Sequence, residues 1–126
     1  MSFFSKLFND ESTNENQVNW IRLETNEQLE AIVQESFERP VLIFKHSTRC
    51  SISRFALKRF ESEFDKQENV SLYYLDLLNF RAISNAIAEK FGIQHQSPQV
   101  IVVKEGKVVY HNSHDGIVAE EIKIIL

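Results

Sequence analysis

A continuous apolar run, Val41-Leu42-Ile43-Phe44, constrains the fold of this chain more than any other stretch. A run of apolar and β-branched residues without alternation is typical of a strand that is buried on both faces of a sheet. Directly after it the pattern becomes helical, and the only cysteine, Cys50, lies at this transition. The sequence therefore predicts a central strand, Val41 to Lys45, followed by a short loop and a helix that begins beside a thiol.

Strand and helix patterns alternate along the rest of the chain. Trp20 to Leu23 is predicted as a first strand, and a helix begins at Thr25 with a capping box completed by Gln28. Three amphipathic helices are predicted from apolar stripes at helical spacing, which are Leu29-Ile32-Val33-Phe37, Ile52-Phe55-Ala56-Phe60-Phe64 and Phe80-Ile83-Ile87-Phe91. The second and longest helix is predicted to run from Ser51 to Gln67.

Helix boundaries and further strands follow from single residues. Pro40 ends the first helix, Asn79 is expected to cap the third, and Gly92 suits the position after its end. The remaining strands are predicted at Val70–Asp76, Val100–Val103 and Lys107–His111, before a final amphipathic helix that carries Ile117, Val118, Ile122, Ile125 and Leu126.

The resulting element order is β-α-β-α-β-α-β-β-α, an α/β fold. The first three strands are separated by helices and should run parallel, whereas the last two are joined by Glu105-Gly106 and should form an antiparallel hairpin. A mixed five-stranded sheet flanked by helices follows. Residues 19–126 are predicted as one domain, and residues 1–18 as an N-terminal arm.

The arm combines a Phe-rich segment with a polar run that begins at Asn9. Its apolar residues are Phe3, Phe4, Leu7 and Phe8, which either pack on the domain's own surface or contact a partner or a membrane. The segment lacks a continuous apolar core and a cleavage-like site, so we do not interpret it as a signal peptide, and no stretch has membrane-spanning length.

Composition narrows the classes of function. The net charge of −4 gives nucleic-acid binding no electrostatic support. A single cysteine rules out an intramolecular disulfide and points to a reducing, cytoplasmic setting. The four histidines, with one cysteine and no acidic residue at fitting spacing, do not predict a metal site.

Cys50 is the candidate nucleophile. A thiol at the start of a helix lies beside the positive end of the helix dipole, which favours the reactive thiolate. Lys45, Arg49 and Arg54 add positive charge nearby. The alternative is a buried, inert cysteine, as free cysteines often are.

The element order, the cysteine after the second strand and Pro98 before the fourth together resemble the thioredoxin fold. The resemblance covers residues 19–126 and implies that Pro98, preceded by Ser97, is a cis-proline beside the active cysteine. Thioredoxins carry C-x-x-C, whereas this chain has Cys50-Ser51-Ile52-Ser53. The segment His46 to Ser53, the stretch Gln96-Ser97-Pro98-Gln99 and the pair Ser113-His114 are similar to monothiol bacilliredoxins of the YtxJ or BrxC type, although Ser51 replaces their frequent proline.

That resemblance implies an enzyme that removes bacillithiol from S-bacillithiolated proteins, with bacillithiol as thiol co-substrate and no bound cofactor. Its partners would be these proteins and a low-molecular-weight thiol. Ser53 cannot form a disulfide, so an adduct on Cys50 must be resolved by an external thiol. Cations near the groove, Lys45, Arg49 and Arg54, would suit the malate of bacillithiol. The expected substrate-contacting residues are Ser47, Thr48, Arg49, Ser53, Ser97 and Pro98.

Two other functions fit the same residues. A pair of subunits would hold an iron–sulfur cluster through Cys50, as monothiol glutaredoxins do, although Ser51 replaces the small glycine of their C-G-F-S motif. The domain would otherwise be a redox-inactive binding module. A cysteine–histidine hydrolase built on His46 lacks a third catalytic motif, and His46 is expected to end the second strand.

Overall fold

A computed structural model describes residues 18–64 and 69–126 of the protein. The predictions for the N-terminal arm therefore lie, apart from Val18, outside the described residues. The elements are β1 Ile21–Arg22, α1 Asn26–Glu35, β2 Val41–His46, α2 Ser51–Glu63, β3 Ser71–Asp76, α3 Arg81–Phe91, β4 Gln99–Lys104, β5 Lys107–Ser113, a 3₁₀ turn His114–Gly116 and α4 Ala119–Ile125. This is the predicted order, and the α/β class is confirmed.

The sheet has five strands in the order β1-β3-β2-β4-β5. β3 pairs in parallel with both β1 and β2, and β4 and β5 form an antiparallel hairpin, as predicted. β4 is also antiparallel to β2. Every residue of the central strand β2 is buried. The carboxyl end of β2, at His46, therefore lies in the middle of one edge of the sheet, where the loop to Cys50 begins.

Two apolar cores cover the two faces of the sheet. Val41 and Ile43 face the core formed with α1 and α3, whereas Leu42 and Phe44 face the core formed with α2 and α4. Because side chains alternate along a strand, the next two residues, Lys45 and His46, also point to opposite faces. This alternation divides the polar groups of the site between two sides of the sheet.

Local sequence signals explain the start of α1 and the end of α3. Thr25 and Gln28 form the predicted capping box at the start of α1, and Gly92 adopts the left-handed conformation (φ 65°) after α3. The prediction that Asn79 caps α3 is wrong, because Phe80 holds that position. The Asn79 amide instead donates to Asp76 Oδ2 at 2.8 Å.

Three residues of the predicted apolar stripes are exposed. Phe37, Ile52 and Phe55 have 61%, 60% and 68% of their surface accessible. Phe37 follows the last turn of α1 and lies against Gly106. In α2 the face turned to the sheet carries Ser53 and Phe60, so Ile52 and Phe55 point outward. α2 ends at Glu63, earlier than predicted, because Phe64 is already extended (φ −91°, ψ 101°).

Candidate functional site

Cys50 is the N-cap residue of α2 and is half-buried, with an extended backbone (φ −107°, ψ 122°). Its N–H donates to the Ser47 carbonyl at 3.2 Å, and its own carbonyl accepts from the Arg54 N–H at 3.0 Å. The first N–H groups of a helix have no partner within the helix, so they favour an anion at this position. The loop thus presents a partly accessible thiol at the positive end of α2, as predicted.

Ser53, one helical turn after Cys50, is fully buried. Its hydroxyl oxygen lies 2.7 Å from His46 Nδ1 and accepts from the Ser47 N–H at 3.0 Å. These two contacts tie the start of α2 to the end of β2. A hydroxyl in this position organises the Cys50 loop from inside the protein and does not reach a ligand in solvent without movement, so direct substrate contact by Ser53 stays a prediction.

The loop between β2 and α2 supplies three of the other predicted contact residues. Ser47 is half-buried, and Thr48 and Arg49 are exposed. Arg54 Nη1 donates to the Thr48 carbonyl at 3.2 Å, which holds a guanidinium over the loop. Arg49 and Arg54 are both exposed and therefore place two cations on the segment that carries Cys50.

Ser97 and Pro98 precede β4 and lie at the same edge of the sheet, because Lys45 of β2 is in register with Gln99 of β4. The Ser97–Pro98 peptide bond is cis, as the thioredoxin resemblance implies. The Pro98 carbonyl accepts from the His114 N–H at 3.0 Å. Ser97 Oγ is buried without a hydrogen-bond partner among the described residues. The fold thus brings this pair to the edge that carries the Cys50 loop.

Lys45 is not the accessible cation that its sequence position suggested. It is fully buried on the α3 side, where Nζ donates to the Ser84 carbonyl at 3.2 Å and lies 3.3 Å from His95 Nδ1. Burial lowers its pKa to about 8. The prediction was wrong because Lys45 is the fifth residue of a strand whose two faces are both covered, so its charge is not available in the groove.

His46 ends β2, as predicted, and is buried on the α2 side. Burial lowers the pKa of its imidazole. The Asp76 carboxylate and a hydrogen bond with the backbone of Ser53 act in the opposite direction, and the Arg54 guanidinium lowers the pKa further. The balance favours the neutral imidazole at neutral pH.

Four polar residues at this edge were not predicted as site residues. Asp76 ends β3 beside His46, Gln99 begins β4 beside Lys45, and Ser84 and His95 complete the cluster around the Lys45 ammonium. For Asp76 and Gln99 the signal is a polar residue at a strand end that the predicted topology brings to one edge, whereas Ser84 in α3 and His95 in the following loop carry no such signal.

Within residues 18–64 and 69–126, no group of three or more histidine, cysteine, aspartate or glutamate residues is placed to hold a metal ion. No helix of the same residues is long and apolar enough to span a membrane.

The sheet order and the position of Cys50 define the class: a thioredoxin-fold protein with its thiol at the start of the helix that follows the central strand. A solved protein described provisionally as an oxidoreductase with a thioredoxin fold matches with a TM-score of 0.72 and 30% identity, over 82% of this chain and 90% of that one. Thioredoxin from Trypanosoma brucei brucei matches with a TM-score of 0.62 and 18% identity, over 85% and 90% of the two chains. Malassezia sympodialis thioredoxin matches with a TM-score of 0.64 and 16% identity, over 85% of this chain and 87% of that one. Because their identities are so low, these two thioredoxins show the fold alone.

The family follows from the sequence. The profile of monothiol bacilliredoxin BrxC matches residues 21–122, and the chain therefore belongs to this family. The match includes Cys50, the loop before it and the Ser97–Pro98 pair.

Proposed function

We propose that this protein is a monothiol thiol–disulfide oxidoreductase that removes bacillithiol from S-bacillithiolated proteins through a mixed disulfide on Cys50. The observation that carries the proposal is the geometry of α2, where Cys50 is the N-cap residue of the helix and a buried serine occupies the position of a second cysteine. Membership of the bacilliredoxin family supports the choice of thiol. The proposed setting is the cytoplasm, where free thiol is available for the second step.

The first step is an exchange of one disulfide for another. The Cys50 thiolate attacks the bacillithiol sulfur of the protein adduct, a new sulfur–sulfur bond forms, and the bond to the substrate protein breaks. The substrate leaves as a thiolate, which takes a proton from solvent. The first-turn N–H groups of α2 stabilise the attacking thiolate before the step. Arg49 and Arg54 are the accessible cations for the carboxylates of bacillithiol.

The second step needs another thiol. Ser53 has no sulfur, so free bacillithiol attacks the adduct on Cys50, releases bacillithiol disulfide and restores the Cys50 thiolate. The sum is one protein adduct and one free thiol converted to one reduced protein and one low-molecular-weight disulfide. Electrons and sulfur atoms balance without a cofactor.

The experiment that tests this proposal follows loss of the adduct from a bacillithiolated protein by intact mass spectrometry. With wild type and free bacillithiol we expect the substrate to return to its reduced mass much faster than with thiol alone. Cys50→Ala is expected to leave only the uncatalysed rate, whereas the exposed and distant Ile124→Ala retains full activity. Equal rates for Cys50→Ala and wild type would overturn the proposal.

A further inference from the structure

The ammonium of Lys45 lies at the centre of a buried polar cluster on the α3 side of the sheet. It is fully buried, and its Nζ donates to the Ser84 carbonyl at 3.2 Å and lies 3.3 Å from His95 Nδ1. Ser84 belongs to α3, whereas His95 belongs to the loop that joins α3 to β4. One side chain of the central strand therefore contacts both the helix and the loop that leads to Pro98.

The contact between Lys45 and His95 has a defined direction. An ammonium has three N–H donors and no acceptor, so its approach to His95 Nδ1 is favourable only when this nitrogen carries no proton. Burial, the Lys45 charge and the Arg81 guanidinium all lower the pKa of His95, which favours the neutral imidazole. Lys45 therefore donates to the imidazole and holds the His95 side chain against the sheet.

A second buried side chain holds the same loop. Gln99 is in register with Lys45 and is 1% exposed, and its Nε2 donates to the Gln94 carbonyl at 3.0 Å. Residues opposite each other in an antiparallel pair point to the same face of the sheet, so both anchors reach the loop from one side. None of the backbone–backbone hydrogen bonds of residues 18–64 and 69–126 involves residues 94–97. The conformation of residues 94–97 therefore depends on these side-chain anchors.

Burial of Lys45 lowers the stability of the fold. A buried ammonium loses its hydration, and the contacts of Lys45 among the described residues are a carbonyl and an imidazole, neither of which carries a compensating negative charge. A methionine of similar length would fill the same space without this penalty. Groups that lower stability concentrate where they serve a function. The loop that Lys45 holds leads to Ser97 and Pro98, at the edge of the sheet that carries Cys50.

We propose that Lys45 is a positioning residue: through His95 it fixes residues 94–97 in the conformation that a substrate protein contacts beside Cys50. Lys45 is fully buried and does not itself touch the substrate. It also points to the face of the sheet opposite α2, so it does not act on the thiol. The proposal rests on the proposed function for the reaction in which the substrate is bound. Its effect is on substrate binding and not on the reactivity of Cys50.

The first test compares wild type with Lys45→Met in the removal of bacillithiol from a protein at neutral pH. We expect KM for the bacillithiolated protein to rise about tenfold with kcat unchanged, the factor expected for loss of one hydrogen bond from a charged group. Alkylation of Cys50 by iodoacetamide should keep its wild-type rate. Lys90→Met, which removes only a surface contact of 3.1 Å with Glu30, is the matched control and should leave KM unchanged. An unchanged KM in Lys45→Met would overturn the proposal.

A second variant, His95→Leu, removes the same contact from the loop side and keeps the test decisive if Lys45→Met does not fold. Because both variants remove one interaction, the double variant should raise KM no more than either variant alone. Additive increases would contradict the action of Lys45 through His95. In urea unfolding at neutral pH, Lys45→Met should be at least as stable as wild type. A loss of stability that accompanies the rise in KM would show a merely structural role and would overturn the proposal.

A further readout does not depend on the reaction. Backbone order parameters from NMR relaxation should fall in Lys45→Met from about 0.85 to below about 0.6 for residues 94–97, and should not change for residues 47–49. Unchanged order parameters at residues 94–97 would overturn the proposal even if KM rises. If wild type removes no bacillithiol, the proposed function fails, and the order parameters alone decide whether Lys45 positions the loop.

Discussion

The two ends of the sheet differ in how their buried and half-buried polar groups are paired. At the end where β3 begins, the Glu35 carboxylate accepts hydrogen bonds from the Ser71 hydroxyl, from the Tyr73 hydroxyl at 2.8 Å and from Arg39 at 2.9 Å. At the end that carries the Cys50 loop, three buried side-chain oxygens have no hydrogen-bond partner among the described residues. These are Asp76 Oδ1, Ser97 Oγ and Gln99 Oε1.

We interpret the Glu35 end as a cluster that stabilises the fold and the Cys50 end as the candidate functional site. Buried polar groups in native proteins are nearly always paired, and exceptions concentrate at functional positions, where stability is given up for chemistry. The Glu35 end obeys the rule. The Cys50 end departs from it in three atoms, and also buries Lys45, for which no ion pair with a carboxylate is found among the described residues. Substitutions in the paired cluster should therefore destabilise the fold, whereas substitution of Lys45 should remove a buried charge that destabilises it.

The largest effect on stability is expected at the paired end. Glu35→Ala removes the shared acceptor of Ser71, Tyr73 and Arg39, and we expect it to lower the free energy of unfolding by about 3 kcal/mol. Burial raises the pKa of Glu35, but the three hydrogen bonds outweigh it and the pKa is lowered from 4.5. The contribution is therefore present above pH 4.5 and is lost as pH falls below that value.

Urea unfolding at several pH values measures this effect. Glu38→Ala is the matched control, since Glu38 lies on the same turn with 74% of its side chain exposed and only a 3.8 Å contact to Arg39. It should change stability by less than about 0.5 kcal/mol. Alkylation of Cys50 in folded Glu35→Ala should match wild type. A stability loss as small as that of Glu38→Ala would show that the paired end does not stabilise the fold.

A smaller effect, in a higher pH range, is expected at the Cys50 end for Lys45→Met. The folded protein releases the Lys45 proton near pH 8, whereas the unfolded chain holds it to its ordinary pKa of 10.5. Between these values the unfolded state binds more protons, so wild-type stability rises with pH. Relative to Lys45→Met, wild type should gain roughly 2 kcal/mol between about pH 7 and about pH 10.

The measurement is the difference in unfolding free energy between wild type and variant at the two pH values, in which the tyrosine titrations cancel. Lys58→Met, at an exposed position of α2, is the control and should show no such pH-dependent difference. A constant difference between wild type and Lys45→Met would mean that the buried ammonium titrates as an exposed lysine does, and would remove the contrast between the two ends.

The sequence predicted the fold well because its signals are strong and local. The apolar run of β2, the Thr25 capping box and Gly92 after α3 each determine one element or one boundary. The loop at Cys50 was predicted for the same reason, since the change from strand to helix pattern is visible in the residues themselves.

The buried side of the site was harder to predict, because it depends on contacts between distant strands. A lysine at the end of a strand suggests a surface cation, and only the covering of both faces of β2 places Lys45 inside. Ser53 was predicted from its spacing to Cys50. The hydrogen bond between Ser53 and His46 depends on how α2 packs over β2. The helical spacing of apolar residues also wrongly placed Ile52 and Phe55 in the core.

The central claim, that Cys50 takes the adduct and cannot resolve it alone, is tested most directly by intact mass after one turnover. Wild type is mixed with an equal amount of bacillithiolated protein in the absence of free thiol. The account predicts one bacillithiol adduct on Cys50 for each substrate reduced, persisting until free bacillithiol is added. An adduct that disappears without added thiol, or a substrate that is reduced while Cys50 stays unmodified, would contradict it.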